Sequence, residues 1–404
     1  MELKYGLISC DSHAQERKTA FLDRMSKKKW GDRIPHVTET TDKAAMIAPQ
    51  DKAVERWFID GKVAEKRGTV NCPTAMGDPL RKTYPQRWDE VPVFVYDPKA
   101  RIKAQEKDGI DGEILFPNVT GQSGENFVNY DADFELALCQ AYNDLLTEEW
   151  TIDDRYVGLA YIPYKKGIDA TVKEIYRAVK NGHRGIVMLS EPSQAADGLP
   201  HLNDAYWHPV WAACQELDAP VHFHASGGMK KLNMDHWTGY TRNQVQAMGP
   251  SASFGLQAQS IPNLLLSGIL DKFPNTKFVC AETGLGWLNY ILEACDHVWE
   301  QRHLWTEGLP TRPSDLFKRQ VFVDFWYEYA GIEQRHAIGL ENIMWESDFP
   351  HSTSTWPESW TFIDRTLKDV PDDEKHMLMA GNAIRVYKMN AKPAKTKAKN
   401  GSKK

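Results

Sequence analysis

Eight short apolar runs, each separated from the next by a helix-like or irregular stretch, constrain this chain more than any other feature. They begin at Tyr5, Gly112, Tyr156, Gly185, Pro220, Lys277, Val321 and Ile343. Between them, helices are predicted over Arg101–Asp108, Asp131–Trp150, Ile168–Lys180, Pro209–Leu217, Trp287–Gln301 and Gly331–Ile338. Alternating strands and helices imply parallel pairing, because each strand must be carried back to the same end of the sheet. Eight such units close into a (β/α)8 TIM barrel of the α/β class, whose chemistry gathers where the strands end. An open doubly wound sheet is the competing arrangement, but no Gly-x-Gly-x-x-Gly follows the first strand.

One stretch breaks the rhythm. Gln15 to Ala100 is irregular, basic at first (Arg17, Lys18, Lys27, Lys28, Lys29), with a hairpin expected at Trp57–Lys62 around an Asp60-Gly61 turn. A structureless loop of ~80 residues is unusual inside a domain, so the segment reads as a long insertion after strand 1, with short elements of its own. It lacks the apolar periodicity for its own core, and is expected to act as a lid or an oligomer contact. The expected organisation is therefore one barrel domain over residues 1–390, with 15–100 as an insertion within it. The Ala-, Lys- and Pro-rich residues 391–404 are expected to be a disordered tail.

Composition excludes several classes. A net charge of −6 argues against a nucleic-acid or anionic-membrane partner. No apolar run approaches the ~20 residues that a membrane helix needs. Met1–Tyr5 leads directly into a strand without signal-peptide architecture, and six scattered cysteines contain no Cys-x-x-Cys. A reduced, cytoplasmic protein is the expectation.

The polar residues at the strand ends carry the chemistry. Strand one closes on Asp11 and His13, which share a face and either chelate one divalent ion or form a plain hydrogen-bonded pair. Strand five supplies His222 and His224, strand six Glu282, and strand eight Asp348 with His351 just beyond. Such imidazoles and carboxylates suit zinc or manganese, with a position left open for substrate or water. His222 lies two residues deeper than His224, and reads equally as a ligand or as a hydrogen-bonded core histidine. No lysine lies on the Gly185–Ser190 strand, so a bridging carbamylated lysine is not available and one metal is favoured.

These motifs, in this order, carry a family resemblance: Asp11-Ser12-His13, Pro220-x-x-x-His224, Ala281-Glu282-Thr283-Gly284-x-Gly286-Trp287 and Glu346-Ser347-Asp348-Phe349-Pro350-His351. Together with Arg101–Asn118, Arg184-Gly185-Ile186 and Gly381-Asn382-Ala383, the chain resembles the amidohydrolase-2 branch of the amidohydrolase superfamily. That branch includes aminocarboxymuconate-semialdehyde decarboxylase, γ-resorcylate decarboxylase and related C–C hydrolases. The resemblance implies metal ligands at Asp11, His13, His224 and Asp348. It also implies a departure, because the strand-six position, commonly a catalytic histidine, is Glu282 here.

Expectations for function follow. One divalent ion, zinc or alternatively manganese, would serve a decarboxylase or other C–C-cleaving enzyme acting on a small aromatic or unsaturated acid. Hydrolysis of an amide, lactone or diketone is the alternative, and a metal-free binding barrel is an alternative of another class. Asp348, Glu282 and His351 are the candidate acid–base groups. His222, Trp237, Trp287, Trp326 and Tyr327 are candidate substrate contacts, within a set of loop aromatics that includes Phe254, Trp356 and Trp360. Lys230, Lys231 and Arg242 are placed to meet a substrate carboxylate, and a homodimer is expected.

Overall fold

The computed structural model describes the chain except for residues 42–52, 65–68, 71–83, 120, 152, 226, 229–238, 242–243, 245–246, 249–250, 252–253 and 394–404. Each of the eight apolar runs forms a barrel strand. They are β1 (Ile8–His13), β2 (Gly112–Phe116), β3 (Tyr156–Gly158 continuing as Ala160–Tyr161), β4 (Ile186–Val187), β5 (Val221–His224), β6 (Phe278–Ala281), β7 (Val321–Phe325) and β8 (Ile343–Trp345). Neighbours pair in parallel throughout: β1 with β2, β2 with β3, and so on to β7 with β8. The ring closes where β8 meets β1. Ser12 bridges to Phe349, the His13 N–H donates to the Phe349 carbonyl at 2.7 Å, and the Asp348 N–H donates to the Asp11 carbonyl at 3.0 Å. The molecule is a closed TIM barrel.

Strands buried on both faces read as near-continuous apolar runs, which is why their positions were visible in the sequence. Inside the ring, Ile8, Cys10, Ile114, Val157, Leu159, Val187, Val279, Phe322 and Met344 pack together. The C-terminal segment plugs the bottom of that space with Ala383, Val386, Tyr387 and Met389. Outside the ring, Leu115, Ile186, Val221, Phe223, Cys280, Val323 and Trp345 pack into a second, larger apolar cluster with the surrounding helices.

Arg101 rivets the closing joint. Wholly buried, it donates to the His13 carbonyl at 3.3 Å and the Phe349 carbonyl at 3.1 Å, and pairs with Glu113 of β2 at 2.9 Å. Its guanidinium lies 4.0 Å over the Phe349 ring. The helix that carries it, Pro98–Asp108, starts on the Asp97 cap with proline at its first position and ends on Gly109 at φ 72°.

Between β1 and β2 the described residues build an antiparallel sheet of His36–Thr40, Val54–Ile59 and Lys62–Val63. The expected hairpin turn is present, with Asp60 and Gly61 both at positive φ. Buried Phe21, Trp57, Ile59 and Trp88 of this segment belong to the same apolar cluster as Phe127, Phe134 and the outer faces of the barrel strands.

Several boundaries differ from expectation. The helix from Asp131 is α-helical over Ala132–Leu145 and widens to π-type turns over Leu146–Trp150. The Gly331–Ile338 stretch divides into Ala330–Glu333 and Arg335–Ile338. Lys392–Pro393, within the expected tail, pairs in parallel with Glu2–Leu3, and residues 394–404 lie outside the described residues. Among the described residues, Cys10, Cys139, Cys214, Cys280 and Cys295 are buried free thiols, and no helix is long and apolar enough to cross a membrane.

Candidate metal centre

The carboxyl ends of β1, β5, β6 and β8 bring Asp11, His13, His224, Glu282 and Asp348 to one buried point. His224 Nε2 lies 3.0 Å from Asp11 Oδ2, and His13 Nε2 lies 3.3 Å from Asp11 Oδ1 and 3.4 Å from Asp348 Oδ1. On the other side of the His224 ring, Nδ1 is 3.4 Å from Glu282 Oε2. Asp11, His13 and His224 each offer one ligand atom within 4.8 Å of the others, and so do His13, Asp348 and His351. Both Asp11 oxygens, His13 Nε2 and both His224 nitrogens are buried without a partner in hydrogen-bond geometry. Orphaned polar atoms of this kind are costly unless a hydrogen-bond partner, a water or an ion satisfies them.

Local backbone makes the convergence possible. A register shift between Ser9 and Ser12 lets β1 present Cys10 inside the ring and Asp11 and His13 at its rim. Glu282 and Asp348 both stand at positive φ, 54° and 53°, where side chains other than glycine are strained. Asp60 and Asp218 share that conformation at turns elsewhere, so it describes how the two strand ends turn and not what the carboxylates do. The Glu282 N–H donates to Glu346 Oε2 at 3.1 Å, which helps to hold that turn. His13 is oriented by the Pro117 carbonyl, 3.0 Å from Nδ1, leaving Nε2 turned to the cluster.

The charges are unbalanced. Asp324 and Glu346 are wholly buried beside Asp11, and burial with the neighbouring carboxylates holds both well above the usual acid range. Burial works against a charged His224, but Asp11, Glu282 and Asp348 outweigh it and lift its pKa to about 9. Burial, with His351 adding to it, presses His13 down to about 4. Asp348 is also penalised by burial, yet His351 and His13 hold it well below the carboxylate range. More acids than cations meet here in low dielectric, an arrangement that a divalent ion would neutralise.

The remaining candidates lie in different surroundings. His351 joins the cluster, with Nδ1 2.7 Å from Asp348 Oδ1 and Nε2 2.9 Å from Asn118 Oδ1. Tyr327 is part-exposed close by, its hydroxyl raised to about 12 by burial and by Glu328, Glu346, Glu282 and Asp348. Trp326 packs edge-on against it at 4.7 Å. His222 sits one layer deeper, its Nδ1 2.9 Å from the Ile186 carbonyl and its Nε2 2.9 Å from the Tyr387 hydroxyl, so both nitrogens are engaged by the barrel itself. Those contacts fit the reading of His222 as a hydrogen-bonded core histidine. Trp287 donates to the Thr283 carbonyl at 2.9 Å and is half-buried. Trp356 and Trp360 are packing residues, donating to the carbonyls of Ala104 and Gly109. Trp237, Lys230, Lys231, Arg242 and the Phe254 side chain lie outside the described residues.

Sequence reasoning passed over Asn118, and left Asp324 and Glu346 without a role. The two-residue period of a strand was the available signal, since Phe322 and Met344 face the interior and the acids follow each of them by two. Asn118 carried a weaker one, as a polar residue just beyond the end of β2.

Comparison with known proteins agrees with this architecture. Residues 88–389, more than half of the chain, match the family model described as amidohydrolase. A 2-keto-4-carboxy-3-hexenedioate hydratase from Sphingobium sp. is 22% identical over 353 residues, covering 83% of this chain and 92% of its own. The crystal structure of an amidohydrolase from Mycobacterium avium subsp. paratuberculosis superposes with a TM-score of 0.73 at 19% identity, over 95% of this chain and 100% of that one. A dihydroxybenzoic acid decarboxylase from Polaromonas sp., solved with manganese and 2-nitroresorcinol, gives 0.60 at 18% identity, over 95% and 97%. The chain is an enzyme of the amidohydrolase family.

Proposed function

We propose that this enzyme is a metal-dependent decarboxylase, or another C–C-bond-cleaving lyase, acting on a small aromatic or unsaturated carboxylic acid. The observation that carries the reading is the set of buried ligand atoms on Asp11, His13 and His224 that face one another without hydrogen-bond geometry, with Asp348 beside them. The likeness to decarboxylase structures supports it. In this reading Asp11, His13, His224 and Asp348 hold one divalent ion, zinc or alternatively manganese. The bound ion would supply a Lewis acid that holds and polarises oxygens of the substrate. Asp348 and His351 form a proton relay through their 2.7 Å contact, and Glu282 is a second acid–base group on the far side of His224. When the carboxyl carbon leaves as carbon dioxide, one of these acids delivers the proton that replaces it. Tyr327 and Trp326 are the aromatic contacts at the rim. Hydration or hydrolysis is the second reading, supported by the hydratase relative. A metal-free binding barrel is disfavoured, since it would leave the orphaned ligand atoms without a purpose. Residues 15–100 serve as a lid or an oligomer contact, and the protein works as a cytoplasmic homodimer, which a solution mass would test.

The test is metal analysis followed by carbon dioxide release from a panel that includes 2,6-dihydroxybenzoate and 5-carboxyvanillate. The expected result is about one divalent ion per chain, as the single cluster of mixed ligands implies, and gas from at least one acid. Absence of metal, with turnover undiminished in strong chelator, would overturn the metal reading. Hydration or hydrolysis without gas would select the second reading.

A further inference from the structure

Beside the cluster, the segment between β1 and β2 encloses a cavity of about 20 Å³ lined by Gln15, Trp57, Ala64, Val70, Asn118 and Val119, among others. That is room for about one oxygen-sized group. Asn118 links the cavity to the cluster, because its Oδ1 faces His351 Nε2 at 2.9 Å while its Nδ2 is buried with no partner among the described residues. Trp57 is 1% exposed, and its Nε1–H has no partner either. An indole N–H can only donate, so what is missing at Trp57 is an acceptor. Leaving such a donor unmet inside a protein is costly, and a polar tryptophan is usually buried where its N–H finds an oxygen.

We propose that this cavity is a subsite for a second acceptor oxygen of the substrate, taken between Trp57 and Asn118 while the first carboxylate lies at the ligand cluster. The class of substrate is then narrower than any small acid. It carries a carboxylate and, across the ring or conjugated chain, another carboxylate or carbonyl oxygen. The proposal rests on the reading of the cluster as the reacting centre, and makes Trp57 a specificity residue contributed by the segment after β1. Gln15, two residues beyond His13, and Asn118, two beyond the end of β2, tie the subsite rigidly to the centre.

The experiment uses metal-loaded full-length protein with ¹⁵N-labelled indoles, titrated with isophthalate or with benzoate. The Trp57 resonance is assigned by its absence from Trp57→Phe, which keeps an aromatic side chain and loses the indole N–H. Isophthalate is expected to move that resonance and benzoate is not. Trp57→Phe should weaken isophthalate about tenfold, the size of one lost hydrogen bond to a charged group, with benzoate affinity and metal content unchanged. Ala64→Val, which fills the cavity, should reproduce the selective loss if the Phe variant does not fold. A Trp57 resonance that neither acid moves would mean that the cavity holds structural water, and would overturn the proposal. So would equal weakening of both acids. Failure of the metal reading shows separately, as benzoate binding that a chelator does not alter.

Discussion

The two halves of the barrel interior are built from the same strands and obey opposite rules. The lower half, from Ile8 and Phe322 to the Tyr387 plug, is apolar apart from His222 and the Tyr387 hydroxyl, which satisfy each other. The upper half holds Asp11, His13, His224, Asp324, Glu346 and Asp348 with little exposure, and several of their polar atoms have no hydrogen-bond partner. A single strand passes from one regime to the other within a few residues, as β7 does between Phe322 and Asp324. The lower half gains stability from burial at roughly 25 cal/mol per Å² of apolar surface. The upper half gives up stability to concentrate charge at the strand ends, the face on which barrels of this kind carry their sites. Stability and chemistry are thus separated along each strand rather than between strands.

Substitutions should therefore split by depth. The largest effect is expected for His224→Ala or Asp348→Ala, which should abolish turnover and lower metal content while thermal unfolding of the metal-free protein changes little. Elemental analysis beside a melting curve checks this, and a large loss of stability would break the division. Phe322→Ala in the lower half should do the reverse, costing about 3–5 kcal/mol in denaturant unfolding with metal content retained. Glu282→Gln keeps the shape and removes the titrating carboxylate, so turnover should fall by ~10²-fold, about 2.7 kcal/mol. Near-normal rates with full metal would reassign Glu282 to holding its turn.

The smallest effect comes from outside the ring and calibrates both halves. Asp108 accepts from the N–H and hydroxyl of Ser359 at 2.9 and 2.6 Å, and burial lifts its pKa from 3.8 to about 6. Between those values the folded chain binds the proton more tightly than the unfolded chain does. Its contribution to stability is therefore greatest at low pH and falls as pH rises from about 4 to about 6. Asp108→Asn removes this dependence. Relative to wild type, the variant should gain on the order of 1–3 kcal/mol across that window, read from urea midpoints at several pH values. A constant difference between the two proteins would show that Asp108 stays ionised.

Much of this was legible from sequence, for reasons that differ by residue. The strands were readable because double-sided burial demands unbroken apolar runs, and the cluster because acids and histidines at strand ends have few structural reasons to be there. His222 was ambiguous because its partner, Tyr387, lies 165 residues away, and nothing local marks the phenol as the group it meets. Trp356 and Trp360 were counted only among the loop aromatics, because composition does not say which way an indole points. Their N–H groups are bonded to the helix that ends at Gly109. The cavity at Trp57 belongs wholly to tertiary structure, since it forms between a hairpin and the end of β2.

The β8–β1 joint has a consequence for how the protein is made. Asp11 and His13 leave the ribosome early, whereas Asp348 follows His13 by 335 residues (348 minus 13). At ~5–20 residues per second, roughly 20–70 s of synthesis separate the two halves of the cluster. Throughout that interval the first strand has neither the neighbour that completes its sheet nor Phe349 to receive its hydrogen bond. Until then a nascent chain holds Asp11 and His13, and later His224 and Glu282, without the Asp348 that stands beside them in the closed ring. On the ligand set proposed above, the four groups stand together only once the last strand has docked and the ring has closed.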